Sequence, residues 1–523
     1  MADLDGDITS PLLDARAPDV VFDLNGVLDH PSEEAAPESN PFGFLGASPL
    51  SLPPTSPVDP FRNHTPGIDG LYEWCKTVLC LPIAAVRLVL FGLAIAVGYV
   101  ATLMALCGWN DKLRPMPRWR CRAMWVTRLC ARCILFSFGY HWIKRKGKPA
   151  SRDIAPIVVC NHVSYIEPIF FFYELFPTMV ASESHDALPF VGTIIRAMQV
   201  IYVDRFSPES RKLAIHEIKR KASSNGFPRV MLFPEGTTTN GRFLISFRPG
   251  AFVPGFPVQP VVVRYPYIHF DQSWGNIQLL KLMFRMFTQF HNFFEVQYLP
   301  VVLPDESKQQ NAVHFAERTS YAMASALNVL QTSHSFGDML LVARASEIAK
   351  EKSSNYMVEM GWVETSFNIS TSEAMLLLDQ FLAMNPDVNG RVQFHGFLTA
   401  YGLGWNPLCE KIFGYLDFEK KGSITFRQFL TGSAHIRKQP LFWRACEAAF
   451  ARCAGNLTDR APVEKVTDII QAMAHGSNRE ILHQLLDADK DGIVCKGDFM
   501  NCLQKHPWLI ALFPRVEDQM DEV

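Results

Sequence analysis

The stretch that limits the fold most is an unbroken apolar run, Ile83 to Cys107, reading IAAVRLVLFGLAIAVGYVATLMALC. Roughly 20 apolar residues cross the hydrocarbon core of a bilayer, and a soluble helix apolar on every side would have to be buried on every side. The run therefore predicts a membrane helix. Its one charge, Arg87, stands near one end, where a long side chain snorkels to the interface and escapes the cost of a central charge.

A basic, aromatic flank follows. Lys112, Arg114, Arg118, Arg120, Arg122, Arg128 and Arg132 are interleaved with Trp119, Trp125, Phe136 and Phe138, and Lys144, Arg145, Lys146 and Lys148 come next. Positive flanks stay cytoplasmic, and cations mixed with aromatic rings suit a helix lying among anionic headgroups. The first 68 residues are rich in Pro, Asp and Ser, lack the basic opening of a secretory leader, and read as a disordered tail. A single span would place that tail in the lumen, with Asn63-His64-Thr65 as a glycan acceptor. A re-entrant hairpin would keep it cytoplasmic, and the sequence is compatible with both.

A net charge of -2 gives no support for bulk nucleic-acid binding. The 12 cysteines are scattered without zinc spacing and read as reduced thiols facing the cytosol.

From 150 to 305, short β-branched runs alternate with helical pieces. Strands are predicted over 154–160, 178–182, 200–203, 229–233 and 258–263, with a helix from Pro208 to Ser223 capped by Ser207. This pattern is an α/β sheet covered by helices. The first strand delivers His162, and Glu167 follows five positions later. On a continuous helix five residues turn through about 500°, so the two side chains would diverge by roughly 140°. They meet only if a turn lies between them. An imidazole with one nitrogen held by a carboxylate is a general base of the kind that deprotonates an alcohol.

About seventy residues on comes Phe233-Pro-Glu-Gly-Thr237. Asn161-His162, an acid after four intervening residues, and Phe-Pro-Glu-Gly-Thr in that order resemble the glycerolipid acyltransferase family, over roughly residues 150 to 305. The resemblance is to its lysophospholipid branch with EF-hands, plant lysophosphatidylethanolamine acyltransferases included. It implies acyl-CoA as co-substrate and a lysophospholipid as acceptor, no catalytic cofactor, and His162 as the base with Glu167 orienting it. The family usually has Asp where Glu167 stands. By composition alone Asp204–Arg205 reads as a surface pair. In the family's Gly-x-x-Phe-x-x-Arg pattern, Arg205 takes the arginine that binds the substrate phosphate, with Gln199 where glycine is usual. An arginine fork suits a phosphate because it donates two parallel charge-assisted hydrogen bonds. Glu235 would orient substrate hydroxyls, Gly236 would let backbone N–H groups approach an anionic oxygen, and Thr237 would donate to phosphate.

The C-terminal part carries a different signal. Asp487-Ala-Asp489-Lys-Asp491-Gly492-Ile493 through Asp498 fits an EF-hand loop, with carboxylates at positions 1, 3 and 5, glycine at 6 and an acid at 12. Calcium is expected on Asp487, Asp489, Asp491, Ile493 and Asp498. Position 12 is Asp where a bidentate Glu is usual. Loops starting at Asn385 and Asp417 have the shape without the acid at 12, and a degenerate helix-loop-helix over 451–467 would partner the Asp487 loop.

The expected architecture is an α/β acyltransferase domain with an N-terminal membrane helix and interfacial helices, followed by an all-α EF-hand domain. Its divisions are a disordered tail (1–68), a membrane-spanning and interfacial segment (69–149), the acyltransferase domain (150–305), a helical connector (306–369), the EF-hand domain (370–510) and a tail (511–523). The expected setting is the endoplasmic reticulum membrane, with Golgi and endosome as alternatives and the catalytic domain facing the cytosol. Two other readings stay open: a lysophosphatidic acid or glycerol-3-phosphate acyltransferase, and a non-catalytic calcium-responsive membrane adaptor.

Overall fold

Four of the β-branched runs pair side by side at the centre of one sheet, because each has apolar side chains on both faces and both must be covered. The computed structural model describes residues 40–54, 58–109, 114–187, 189–305, 311–348, 353–455, 459–487 and 489–513. The expected tails before residue 40 and beyond 513, and Lys112, lie outside the described residues. The strands of the α/β part are β1 (Lys144–Lys146), β2 (Ile157–Cys160), β3 (Thr178–Ser182), β4 (Ile201–Val203), β5 (Val230–Leu232), β6 (Phe243–Leu244), β7 (Val258–Arg264), β8 (Glu295–Tyr298) and β9 (Leu330–Gln331). Seven of them form one sheet in the order β1-β8-β7-β2-β5-β3-β4, parallel at every step except β7–β8.

Helices fill both faces. They are α1 (Leu71–Leu106), α2 (Arg118–Ala123), α3 (Trp125–Ser137), α4 (Ile166–Glu174), α5 (Val191–Ala197), α6 (Pro208–Ser223), α7 (Leu279–Phe287) and α8 (Ala312–Leu327). Val158, Cys160, Met231, Val261 and Val263 pack with Phe170, Phe171, Leu282 and Met286 on one side. Ile157, Val159, Val230 and Val262 pack with Ile218, Phe315 and Met323 on the other. The period-2 alternation of the strands puts one set on each face. α6 starts as predicted, with the Ser207 hydroxyl accepting the Ser210 N–H at 3.2 Å and Pro208 in the first turn.

Two expected boundaries shift. The sheet already begins at Lys144, inside the predicted 69–149 segment. Residues 311–331, placed in the connector, belong to the sheet domain: Phe315, Ala316, Met323 and Leu327 give α8 a buried stripe at helical spacing, and β9 pairs with β6.

α1 is the one helix among the described residues that is long and apolar enough to cross a membrane. At 36 residues it is about 54 Å long. It runs antiparallel to α3, since Phe91 meets Phe138, a Cβ on Gly98 would come 3.2 Å from Cys130 Cβ, and Arg120 donates to the Ala105 carbonyl at 2.5 Å. Ala94, Gly98, Ala101, Thr102 and Ala105 form the small-residue seam that permits this approach. The opposite face leaves Leu79, Val86, Val89, Leu93, Val97 and Val100 exposed.

Arg87 does not snorkel. It lies mid-helix and buried, donating to the carbonyls of Phe287 (2.9 Å), Phe290 (3.0 Å) and Gln289. A buried guanidinium with several donors is tolerated when carbonyls supply its acceptors. Several flanking arginines are spent in the same way. Arg120 takes the carbonyls of Ala105 and Cys107 at the end of α1, Arg128 those of Tyr173 and Glu174, and Arg132 those of Tyr140 and His141.

The segment before α1 is not a disordered tail where it is described. Phe42, Leu45 and Leu50 enter the C-terminal core, and the Tyr415 hydroxyl donates to the Ser48 carbonyl at 3.2 Å. Asn63 is fully buried against the α/β domain, its amide donating to the carbonyls of Asp271 (3.0 Å) and Ser273 (2.7 Å). Few aromatic and branched residues suffice here because they insert into cores built elsewhere in the chain. Residues 63–65 thus pack on the domain that follows α1, and the Gln199 amide at that domain holds the Arg114 carbonyl beyond the far end of α1. α1 lies along the domain, and a pass that separates Asn63 from it does not fit this packing. The buried Asn63 amide is likewise no glycan acceptor.

C-terminal to α8, α9 (Phe336–Ile348) and α10 (Met360–Phe367) lead into a helical unit with its own core around Phe381, Phe397, Phe429 and Trp508. Two small antiparallel pairs join its loops: β10 (Arg391–Gln393) with β11 (Ser423–Thr425), and β12 (Arg460–Pro462) with β13 (Ile493–Cys495).

Candidate active site

Parallel strands bring their carboxyl ends to one edge of a sheet, where an α/β fold leaves room for a ligand. β2, β4, β5 and β7 end there, and each is followed by a residue of the site: His162 after β2, Arg205 after β4, Glu235 after β5 and Tyr265 after β7. Between β2 and α4 the chain turns over residues 161–165, so His162 and Glu167 face each other as the spacing requires. His162 Nδ1 lies 2.9 Å from Glu167 Oε2.

Glu167 has no exposed surface, and its oxygens are fully engaged. They accept the Ser164 N–H at 2.9 and 3.0 Å and the Tyr265 hydroxyl at 2.6 Å, besides the imidazole. A carboxylate held by this many donors is fixed in place, with an oxygen aimed at the imidazole. The Nδ1 hydrogen then points at Glu167, and Nε2 carries the lone pair. Among the described residues no protein group bonds Nε2. The ring stacks on Phe233, with centroids 4.2 Å apart and planes 22° apart.

The Phe-Pro-Glu-Gly-Thr loop reaches His162 through its backbone. Glu235 Oε1 accepts the His162 N–H at 2.8 Å, and the Thr239 N–H returns to the His162 carbonyl at 2.8 Å. Burial pushes the Glu235 carboxyl up to about 8. Glu235 has no exposed surface; its Oε1 shapes the histidine loop, and its Oε2 has no hydrogen-bond partner among the described residues. The Gly236 N–H is taken by the Phe233 carbonyl at 3.0 Å, so it is not the open anion donor expected. Its φ of +74° explains the glycine. Thr237 also differs: its hydroxyl is directed at Met339 Sδ, 2.9 Å away on α9.

Arg205 is exposed as a residue, with its guanidinium 4.7 Å over the Phe336 ring. Gln199, the departure from the family's glycine, has φ +52°, a conformation that glycine adopts freely. Its side chain holds the strained turn by bonding the Met116 N–H and the Arg114 carbonyl. Cys160 is fully buried in β2, and burial holds its thiol well above its ordinary value, which suits a strand residue and not a nucleophile. Tyr265 escaped the sequence reading, and Phe233 and Thr239, which lie in and just after the Phe-Pro-Glu-Gly-Thr motif, were given no role of their own. The strand-exit reasoning that singles out His162 also points to Tyr265, one residue past β7.

In the C-terminal unit, carboxylate oxygens of Asp487, Asp489 and Asp491 lie within 4.8 Å of one another. This donor set fits a hard cation. Asp498 is not one of these three; its Oδ2 caps its own helix by accepting the Cys495 N–H at 3.0 Å. Ile493 lies in β13 and has only its backbone carbonyl to offer. In the loop at Asp417, the Lys421 ammonium pairs with Glu419 at 2.8 Å, so the loop supplies its own cation.

An imidazole paired with a buried carboxylate at the carboxyl edge of an α/β sheet, where Arg205 also leaves its strand, is an arrangement suited to acyl transfer to an alcohol. The model of the Acyltransferase family matches residues 143–264, the segment from β1 through β7. The chain is 60% identical over 478 residues to lysophospholipid acyltransferase LPEAT2 of Arabidopsis thaliana, covering 91% of this chain and 88% of that protein. It is 31% identical over 465 residues to lysophosphatidylcholine acyltransferase of Drosophila melanogaster, covering 86% of each. With lysophosphatidylcholine acyltransferase 2 of Mus musculus the identity is 29% over 463 residues, 87% of this chain and 78% of that protein. The chain belongs to the lysophospholipid acyltransferase family.

Proposed function

We propose that the protein transfers an acyl group from acyl-CoA to the free hydroxyl of a lysophospholipid, in phospholipid reacylation. The observation that carries this is the His162 ring, pinned through Nδ1 by Glu167, with Nε2 bonded to no protein group among the described residues. Nε2 takes the hydroxyl proton, the oxygen attacks the thioester carbonyl, and a tetrahedral oxyanion forms. Its collapse breaks the carbon–sulfur bond. Coenzyme A leaves as thiolate, and the imidazolium returns the proton to it. Glu167 keeps the ring in the useful tautomer and stabilises its charged form. Arg205 binds the acceptor phosphate.

The exposed apolar face of α1, with Leu280, Phe284, Phe290 and Phe293 around α7, supports a membrane-bound enzyme. The endoplasmic reticulum, with the site facing the cytosol, is the setting we infer. The C-terminal unit is read as an EF-hand domain in which Asp487, Asp489 and Asp491 would hold calcium, supplying positive charge to three crowded carboxylates. Lysophosphatidylethanolamine and lysophosphatidylcholine are the favoured acceptors, in line with the names of the relatives.

The test is coenzyme A release by membranes carrying the full chain, across lysophospholipid headgroups, with and without calcium. Release with lysophosphatidylethanolamine or lysophosphatidylcholine supports the reading. A preference for lysophosphatidic acid or glycerol 3-phosphate would move the protein to that branch, and no release with any acceptor would favour an adaptor.

A further inference from the structure

Arg248 follows β6 at Phe247-Arg248-Pro249, outside every motif read from the sequence. Its N–H donates to the Pro234 carbonyl at 2.8 Å, which pins this backbone to the Pro-Glu-Gly loop. A Cβ placed on Gly236 would stand 3.8 Å from Arg248 Cγ and 3.8 Å from Phe336 Cβ. The Arg205 guanidinium lies over the ring of the same Phe336, 4.7 Å from its centroid. Arg248 and the Phe336 that carries Arg205 therefore both border Gly236, in the loop that shapes His162. Crowding by protein atoms, and then the charge on Arg248, lower the Arg205 pKa.

Two like charges brought together destabilise a fold unless an anion sits between them. Among the described residues Arg205 has no hydrogen bond or ion pair. Arg248 pairs with one acid among the described residues: its Nη1 lies 3.5 Å from Glu364 Oε2, on α10 of the C-terminal unit. That separation is too long for a tight charge-assisted hydrogen bond, and both side chains are partly exposed. The pair is exchangeable, with a cation to spare.

We propose that Arg248 is a second phosphate-binding residue, which with Arg205 clamps the phosphodiester of the lysophospholipid and exchanges Glu364 for it when the acceptor binds. This rests on the reading of His162 and Arg205 given above. A phosphodiester offers two non-bridging oxygens to two planar forks. The same chemistry occurs in the phosphates of coenzyme A, but these lie a whole pantetheine arm from the thioester. In a lysophospholipid the phosphate is only a few bonds from the reacting hydroxyl, and the two arginines stand beside the loop that holds the base. Because Glu364 belongs to the C-terminal unit, acceptor binding is coupled to the position of α10.

The experiment uses the full chain in membranes, varying lysophospholipid at fixed acyl-CoA and the converse. Arg248→Gln, which keeps the backbone bond to Pro234, should raise the acceptor KM roughly tenfold while the acyl-CoA KM stays within about twofold. Arg248→Lys should recover part of the loss, and Glu364→Gln should lower the acceptor KM. Binding of an ether lysophospholipid lacking the acceptor hydroxyl should weaken in parallel in Arg248→Gln. A rise confined to the acyl-CoA KM would assign Arg248 to coenzyme A and overturn the proposal, as would unchanged KM values for both substrates. If His162→Ala kept its turnover, the base assignment would fall, while the binding measurement would still decide the role of Arg248.

Discussion

Glu235 accepts the backbone N–H of His162 at 2.8 Å, and this one bond ties together two loops 73 residues apart. Glu167 holds the ring of the same histidine, so one acid sets where the residue sits and the other sets where its ring points. Neither acid has exposed surface.

Replacing Glu167 by Gln keeps its size but removes the charge that fixes the Nδ1–H tautomer. Turnover should fall by about 100-fold, the lower range for losing effective general-base catalysis. Glu167→Asp keeps the charge and should stay within about tenfold of wild type. Steady-state coenzyme A release at matched protein levels measures both, and two variants within twofold of wild type would remove Glu167 from the site.

Glu235 makes stability fall as pH rises. Its folded pKa of about 8 lies above the ordinary carboxyl value of 4.5, so between those values the unfolded chain ionises while the folded chain stays protonated. Stability is lost across that window by up to ~1.4 kcal/mol per pH unit and levels off above about pH 8. Glu235→Gln should flatten this slope. Thermal unfolding of the detergent-solubilised chain from pH 5 to 9 checks it, and an unchanged slope in the variant counts against a protonated Glu235.

Asn63→Ala strands the carbonyls of Asp271 and Ser273 in a buried site. Each unsatisfied acceptor costs about 1–3 kcal/mol, so the variant should unfold at clearly lower temperature than wild type. Endoglycosidase treatment of the wild-type chain should leave its mobility unchanged. A mobility shift that Asn63→Ala abolishes would show the residue exposed to the lumen, contrary to its packing.

Asp487→Asn should abolish the calcium-dependent change in tryptophan fluorescence of the full chain, because it removes one of three clustered carboxylates. Asp498→Glu, offering the longer acid usual at position 12, should tighten the response. A titration identical in wild type and Asp487→Asn would refute calcium at this loop.

Five of the seven sheet strands were readable as short apolar runs and α6 opens with Ser207-Pro208, both purely local signals, whereas β1 (Lys-Arg-Lys) and β8 (Glu-Val-Gln-Tyr) carry no such signal and take their place only through pairing with each other and with β7. The turn between His162 and Glu167 followed from helix geometry alone. What stayed hidden depends on partners far along the chain. Arg87 looks like a snorkelling charge until the carbonyls of Phe287, Gln289 and Phe290, some 200 residues later, supply its acceptors. Asn63 looks like part of a polar tail until the 271–273 backbone closes around it. Gln199 looks like a lapse from a glycine motif, whereas its side chain ties down the positive φ that glycine would adopt freely. Glu235 was placed in the site by its motif, but only the fold shows its oxygen turned to the His162 backbone.

The proposed acyl transfer depends above all on the imidazole at position 162 acting as base. Coenzyme A release from acyl-CoA plus lysophospholipid should drop by at least ~100-fold in His162→Ala, with the protein still present in the membrane at wild-type level. Turnover close to wild type in that variant would contradict it.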